Sequence, residues 1–283
     1  MGTRLAVVSR TDVGRVRKTN EDAVLVADME GGVQCVDGDV LRFPVGKRGT
    51  LLALSDGMGG HRAGDVASAL TLSSLHRALA DRPSLDNVGA KVIRAVEHAN
   101  LEVLSAGQDA DRRKMGATLT AVFVVGTAAH IAEIGDSRGY LLRSGEIHQL
   151  THDQSFAQVL LDAGATDVED SPMRSVLVQA IGQKPDIKVA LGMLLLRHRD
   201  CLLLCSDGLW GKLSAEEMRD VVLSSPTLDA ACDRMVAMAN ERGGNDNITV
   251  LLAGVSGDVP MAHPDEGIAN TFQVLTTFDA PVK

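Results

Sequence analysis

Aromatic side chains are scarce: one Trp, one Tyr and five Phe in 283 residues. Any core must therefore be built from Leu, Val, Ile, Ala and Met. Stacking platforms for single-stranded nucleic acid are excluded, because they need rings. Positive charge is also in deficit. The formal net charge is −9, the opposite of the basic patches that phosphate backbones recruit. No apolar run approaches the roughly 18 residues needed to cross a bilayer, so no membrane span is expected. The N-terminal stretch Met1 to Arg10 has too short an apolar segment for a secretory signal. Ala6 also stands where a myristoylation pattern requires Ser or Thr. Cys35, Cys201, Cys205 and Cys232 follow no metal or redox spacing. On one strand, Cys201 and Cys205 would lie about 13 Å apart at roughly 3.3 Å per residue, beyond disulfide reach. They read as small core residues in a reducing cytoplasm. A Gly-x-x-x-x-Gly-Lys-Ser/Thr nucleotide cradle is missing, as is any repeat of fixed period.

What is present is an ordinary globular composition, 45% hydrophobic and 23% charged. The length fits one large domain or two small ones. Leu5 to Val8 and Ala23 to Ala27 read as strands, joined by a loop carrying Arg17, Asn20, Glu21 and Asp22. Alternating Val33, Cys35, Val40 and Phe43 suggest a hairpin within 28–49, and Leu51 to Leu54 a strand buried on both faces. Apolar residues at helical spacing predict helices over 64–80 and 85–104. Gly126-Thr127 and Ser144-Gly145 mark two hairpins, over 117–134 and 140–150. A helix over 154–163 stops at Gly164, while 165–190 shows no period and is expected to be a mobile segment. Strands follow at 194–196 and 201–205, then a capping box at Ser214 to Glu217 opening a helix. A last helix over 228–241 and a strand over 248–255 complete the set, and 256–283 reads as a tail. Hairpins and paired helices, without regular strand–helix alternation, argue for two packed, mainly antiparallel sheets with helices outside.

Two of the buried strands end alike, in Ser55-Asp56-Gly57 and Ser206-Asp207-Gly208. Asp136 and Asp246 also sit where a strand meets a loop, and Asp22 precedes a strand. Singly, each is an ordinary turn aspartate bonding its own backbone. Gathered at one end of a β core, such carboxylates would repel unless protonated or bound to cations. An all-oxygen donor set suits Mg²⁺ or Mn²⁺ rather than zinc. The glycine after each aspartate permits close backbone approach. Two ions about 3.5–4 Å apart can activate a water and hold a phosphate for in-line attack.

The chain resembles the metal-dependent Ser/Thr protein phosphatases of the type 2C class in a compact bacterial form, over about residues 5–255. The resemblance rests on blocks in order: Thr11 to Asp22, Ser55 to His61, Met115 to Thr118, Ile134 to Arg138, Leu150 to Asp153, Ala180 to Gly182, Ser206 to Trp210 and Asp246 to Thr249. It implies an α+β, four-layer α-β-β-α fold: a two-sheet, mainly antiparallel β-sandwich flanked by pairs of helices, with the domain at 1–255 and a tail at 256–283. It also implies two Mn²⁺ or Mg²⁺ ions. Asp56 would bridge them, the Gly57 carbonyl would bind one, and Asp207 and Asp246 would complete the other's shell. Asp22 would order metal-bound water, Glu21 would be an extra ligand, and Asp136 would hold a third, weaker ion. Arg17 would grip the substrate phosphate, and His61 would protonate the leaving Ser or Thr oxygen.

The expected activity is hydrolysis of phosphoserine and phosphothreonine on proteins, the targets of a Ser/Thr kinase, without a covalent phosphoenzyme. No Cys-x5-Arg motif is present for a cysteine nucleophile. The expected form is a cytoplasmic monomer that binds neither nucleic acid nor membrane. The rivals are an inactive relative acting as a scaffold or regulator and a metal-dependent hydrolase of small phosphoesters or nucleotides. All the metal aspartates are retained, against the first, and no base-stacking surface is expected, against the second. The region after the 154–163 helix departs from the family. It reads Ser171-Pro-Met-Arg-Ser-Val-Leu-Val-Gln-Ala-Ile-Gly182 where relatives carry a longer flap, so substrate choice does not transfer.

Overall fold

The computed structural model describes residues 2–30, 32–34, 40–59, 63–81, 87–108, 115–166, 176–263 and 265–278. The central strands are nearly continuous apolar runs, and their period-2 alternation sends side chains to two different cores. In β5 (Thr50–Met58), Leu51 and Ala53 face helices while Leu52 and Leu54 face the opposite sheet. In β12 (Cys201–Cys205), Leu202 and Leu204 point between the sheets, and Cys201, Leu203 and Cys205 point outward under helices. β13 (Ile248–Gly257) divides in the same way. A strand buried on both faces requires cover on both faces, hence the layers.

One sheet has six strands, in the order β10 (Glu146–Gln149), β9 (Arg138–Arg143), β12, β13, β1 (Thr3–Asp12) and β4 (Leu41–Pro44). The other runs β14 (Phe272–Thr276), β11 (Ala190–Leu195), β8 (Ala128–Ile134), β7 (Leu119–Val125), β5, β2 (Asp22–Asp28) and β3 (Gly32–Gln34), with β6 (Gly116–Ala117) paired to β5. Every strand pairing within both sheets is antiparallel. Helices α1 (Gly64–Ala80) and α2 (Val88–Ala106) cover the larger sheet. Helices α4 (Asp207–Trp210), α5 (Ala215–Ser224) and α6 (Leu228–Glu241) cover the smaller. A short α3 (Phe156–Asp162) is capped by the Ser155 hydroxyl, which accepts from the Gln158 amide. The four-layer α-β-β-α sandwich expected from the sequence is the observed fold. The capping box is present too, with Ser214 and Glu217 each satisfying the other's backbone N–H.

Three local readings change. The 28–49 segment is not a hairpin: β3 pairs with β2 and β4 with β1, so its two strands edge different sheets. Alternation sets which face a strand buries, not which neighbour it pairs with. Of 165–190, 176–189 is tied down. Ile181 bridges Ala117, Leu177 bridges Ser155, and Asn100 bonds both the Gly182 amide and the Lys184 carbonyl. The region read as a tail supplies β14, which pairs with β11. The sheets are clasped by Arg143, buried with Asp200, which also donates to the Leu195 carbonyl at 2.9 Å and to Thr271 at 2.6 Å. No described helix is long and apolar enough to cross a membrane.

Candidate active site

Five aspartates reach one end of the sandwich, each beside a strand terminus. Asp22 opens β2 directly opposite Asp56 near the end of β5. Asp136 follows β8, Asp207 follows β12 as the first residue of α4, and Asp246 comes just before β13. A cleft of about 1220 Å³ is lined by Asp56, Gly57, Asp136, Asp207, Asp246, Glu21 and Arg17 among others. Asp22 is not part of that lining. Its Oδ2 accepts hydrogen bonds from Ser206 (2.7 Å) and Thr249 (2.5 Å), while its Oδ1 is buried without a partner. His61 lies outside the described residues.

The glycines explain how the posts come so close. A Cβ on Gly57 would stand 2.0 Å from the Gly64 carbonyl oxygen, and one on Gly208 2.0 Å from that of Asn247. The tight approach is between segments of backbone, which locks the Asp56 and Asp207 turns onto their neighbours. Thr118 fixes Asp56 from the side: its hydroxyl accepts from the Asp56 amide at 2.9 Å, and its own amide donates to the Asp56 carbonyl at 2.8 Å. Asn247 stitches the loop between β1 and β2 to the start of β13. Its Nδ2 donates to the Val13 and Thr19 carbonyls, and its Oδ1 accepts from the Glu21 amide. That loop carries Arg17 to Asp246, where Nη2 donates to Oδ2 at 2.7 Å. With half of its side chain exposed, Arg17 keeps donors free at the cleft mouth.

Crowded carboxylates hold their protons. Burial pushes Asp22 up to about 7, with the charges of Asp207 and Asp246 adding to it and the two hydroxyl bonds opposing. Burial likewise raises Asp136 to about 8 and Asp207 to about 6, helped by Asp207 and Asp246 respectively. Asp56 is driven well above the usual carboxylate range by burial and then by its four acidic neighbours. Bond formation to Asp246 raises the Arg17 guanidinium further.

Sequence reasoning quoted but did not use several residues that hold these groups. The Trp210 indole donates to the Asp136 carbonyl at 2.9 Å, and Arg138 stacks 3.7 Å above that ring while gripping Asp153 through two nitrogens. Gln154 accepts from the Gly135 amide just before Asp136. Trp210, Arg138 and Asp153 belong to motif blocks, which was the available signal, while Gln154 stands just past one. Their partners lie as far as 74 residues apart, and only folding reveals them.

A cleft so acidic repels any anionic substrate unless cations fill it, which marks the strand ends as a site for a protein that works with bound cations. Residues 33–253 match the model of the family "Protein phosphatase 2C". Protein phosphatase PhpP of Streptococcus pneumoniae is 37% identical over 252 residues, covering 87% of this chain and 96% of its own length. The Streptococcus agalactiae serine/threonine phosphatase superposes with a TM-score of 0.78 at 34% identity, covering 88% of this chain and 98% of the other. The catalytic domain of the serine/threonine protein phosphatase PstP, solved with two manganese ions, gives 0.73 at 35%, covering 90% and 100%. The chain belongs to the protein phosphatase 2C family and is a serine/threonine protein phosphatase of that type.

Proposed function

We propose that this chain hydrolyses phosphoserine and phosphothreonine on proteins at the carboxylate end of the sandwich, with two Mn²⁺ or Mg²⁺ ions as cofactors. The observation that carries the reading is the convergence of five carboxylates from five strand ends beside Arg17.

The residues fit hard divalent ions. Every donor is oxygen, burial pushes Asp22, Asp56, Asp136 and Asp207 up toward the protonated form that cations would displace, and Asp207 Oδ1, like Asp22 Oδ1, is buried without a hydrogen bond. Among the described residues, no three Asp, Glu, His or Cys side chains form a closed chelate. Asp56 and the Gly57 carbonyl would hold one ion, and Asp56, Asp207 and Asp246 the other. Asp136 would take a weaker third, and Glu21 stands ready as an extra ligand. When bound, the ions would supply an activated water and neutralise phosphate charge. The chain's own groups do the remainder. Arg17 orients the phosphate through its free guanidinium edge. Asp22, held by Ser206 and Thr249, orders water behind the cleft. His61 gives its proton to the departing Ser or Thr oxygen.

The catalytic domain is 1–255, and 256–283 is an appendage that completes a sheet edge. The substrates are phosphoproteins made by a Ser/Thr kinase, met by a cytoplasmic monomer; the buried thiols Cys201, Cys205 and Cys232 suit a reducing compartment. The test is hydrolysis of p-nitrophenyl phosphate and a phosphothreonine peptide with added Mn²⁺. Activity should vanish in EDTA and in Asp207→Ala, and turnover that survives the chelator would refute the reading.

A further inference from the structure

The cleft is far larger than a phosphorylated side chain requires, and its two halves differ in chemistry. One half holds the aspartates and Arg17. The other carries Val176, Ile187 and Phe278, interspersed with the polar Gln179, Lys184, Asp186 and Lys188. Val176 is 43% exposed, and Ile187 and Phe278 are half-buried, so the chain leaves this apolar surface partly uncovered beside the acid end.

Phe278 has an unusual origin. It follows β14, which is anchored by pairing with β11 and by the Thr276 hydroxyl donating to the Val189 carbonyl at 2.7 Å. That strand lies beyond residues 33–253, the part matched by the family model. Phe278 also borders a second, smaller cavity of about 400 Å³ lined by Leu191, Phe272 and Val274. Phe278 thus borders both cavities, two residues beyond the added strand, and the smaller one is also lined by polar residues such as Glu133, His152 and Asp162.

We propose that Val176, Ile187 and Phe278 form a subsite for an apolar side chain flanking the phosphoresidue of the substrate, with Phe278 as the specificity-determining residue. The proposal rests on the phosphatase reading above. Continuity with the cleft names the occupant: a peptide whose phosphate sits at the aspartates must run its neighbouring residues along one of the cleft's walls, and on this one Val176, Ile187 and Phe278 leave apolar surface uncovered between polar neighbours. Burying an apolar side chain there stabilises the complex in proportion to the area removed from water.

The test is a selectivity ratio, kcat/KM for a phosphothreonine peptide with leucines flanking the phosphoresidue over that for the same peptide with serines. Both values scale with the fraction of folded enzyme, so partial misfolding of a variant cancels. Wild type should favour the leucine peptide by about tenfold, the scale at which apolar pockets discriminate. Phe278→Ala should bring the ratio close to one, chiefly through KM of the leucine peptide, and Phe278→Leu should retain most of it. A wild-type ratio near one, or a ratio unmoved by Phe278→Ala, overturns the subsite. If wild type also lacks Mn²⁺-dependent turnover of p-nitrophenyl phosphate, the phosphatase reading has failed. If that turnover is intact, only the subsite has.

Discussion

Asp22 and Asp56 face each other across neighbouring strands, each half-buried, and each carboxyl is raised by desolvation first and by its acidic neighbours second. That arrangement is costly to the metal-free protein, and the cost has a pH signature. Asp22, Asp136 and Asp207 titrate near 7, 8 and 6 when folded, against about 3.9 for an unfolded aspartate. The folded state therefore binds more protons across that interval, and the stability these groups contribute is lost as pH rises from about 4 to about 8. Melting curves of EDTA-stripped protein should show a lower midpoint at pH 8 than at pH 5.5. Mn²⁺ should raise the midpoint more at pH 8, where fewer protons must be displaced; a metal-free midpoint that climbs over this range would contradict the crowding. His61 gives a second residue-scale expectation. A proton donor matters most for a poor leaving group, so His61→Gln should slow a phosphopeptide by about 10²–10⁴-fold and p-nitrophenyl phosphate much less. Equal slowing of both would argue against a role in protonation. The aspartates were legible in the sequence because each sits where an apolar run breaks. Asn247, Thr118 and Trp210 were not, because their work is done on backbone groups far away in the chain.

At the scale of elements, the site depends on turns that admit no side chain. Gly208 meets the Asn247 carbonyl so closely that a methyl group must pry the start of α4 from the entry to β13. Gly208→Ala should destabilise the protein by about 1–3 kcal/mol, as overpacking does. It should also weaken Mn²⁺ binding, because the Asp207 and Asp246 loops part together; denaturant unfolding and a metal titration check the two halves. Most elements could be read from periodicity, including α1 and α6 within a residue of their ends. The failures have a common cause. β3, β4 and β14 are short edge strands whose partners are decided by long-range register, and a five-residue strand such as Phe272–Thr276 offers no pattern that distinguishes it from a tail.

At the scale of the whole molecule, two sheets must hold a fixed stagger for strand ends from both to share one cleft. Arg143 joins them, reaching from β9 to the end of β11 and to Thr271 before β14, while Asp200 neutralises it. Both side chains of that pair are almost wholly buried, so Arg143→Ala leaves the Asp200 charge buried with only the Arg197 backbone N–H still donating to it. The expected loss is about 3–5 kcal/mol in chemical denaturation, with kcat for the aryl phosphate unchanged in the folded fraction. The layered architecture itself was legible, because strands as apolar as β5 and β13 need cover on both faces, and hairpins with paired helices pointed to two stacked antiparallel sheets. The reach of β14 to the cleft was not, since nothing in 256–283 hints that it returns to the sheet.

The central claim is that these strand ends form a seat for two divalent ions, and counting the ions tests it most directly. Calorimetric titration of EDTA-stripped, dialysed protein with Mn²⁺ should give at least two equivalents per chain for wild type, and Asp56→Asn should abolish the tight binding of both. Fewer than two ions on wild type, or unchanged stoichiometry and affinity in Asp56→Asn, would contradict it.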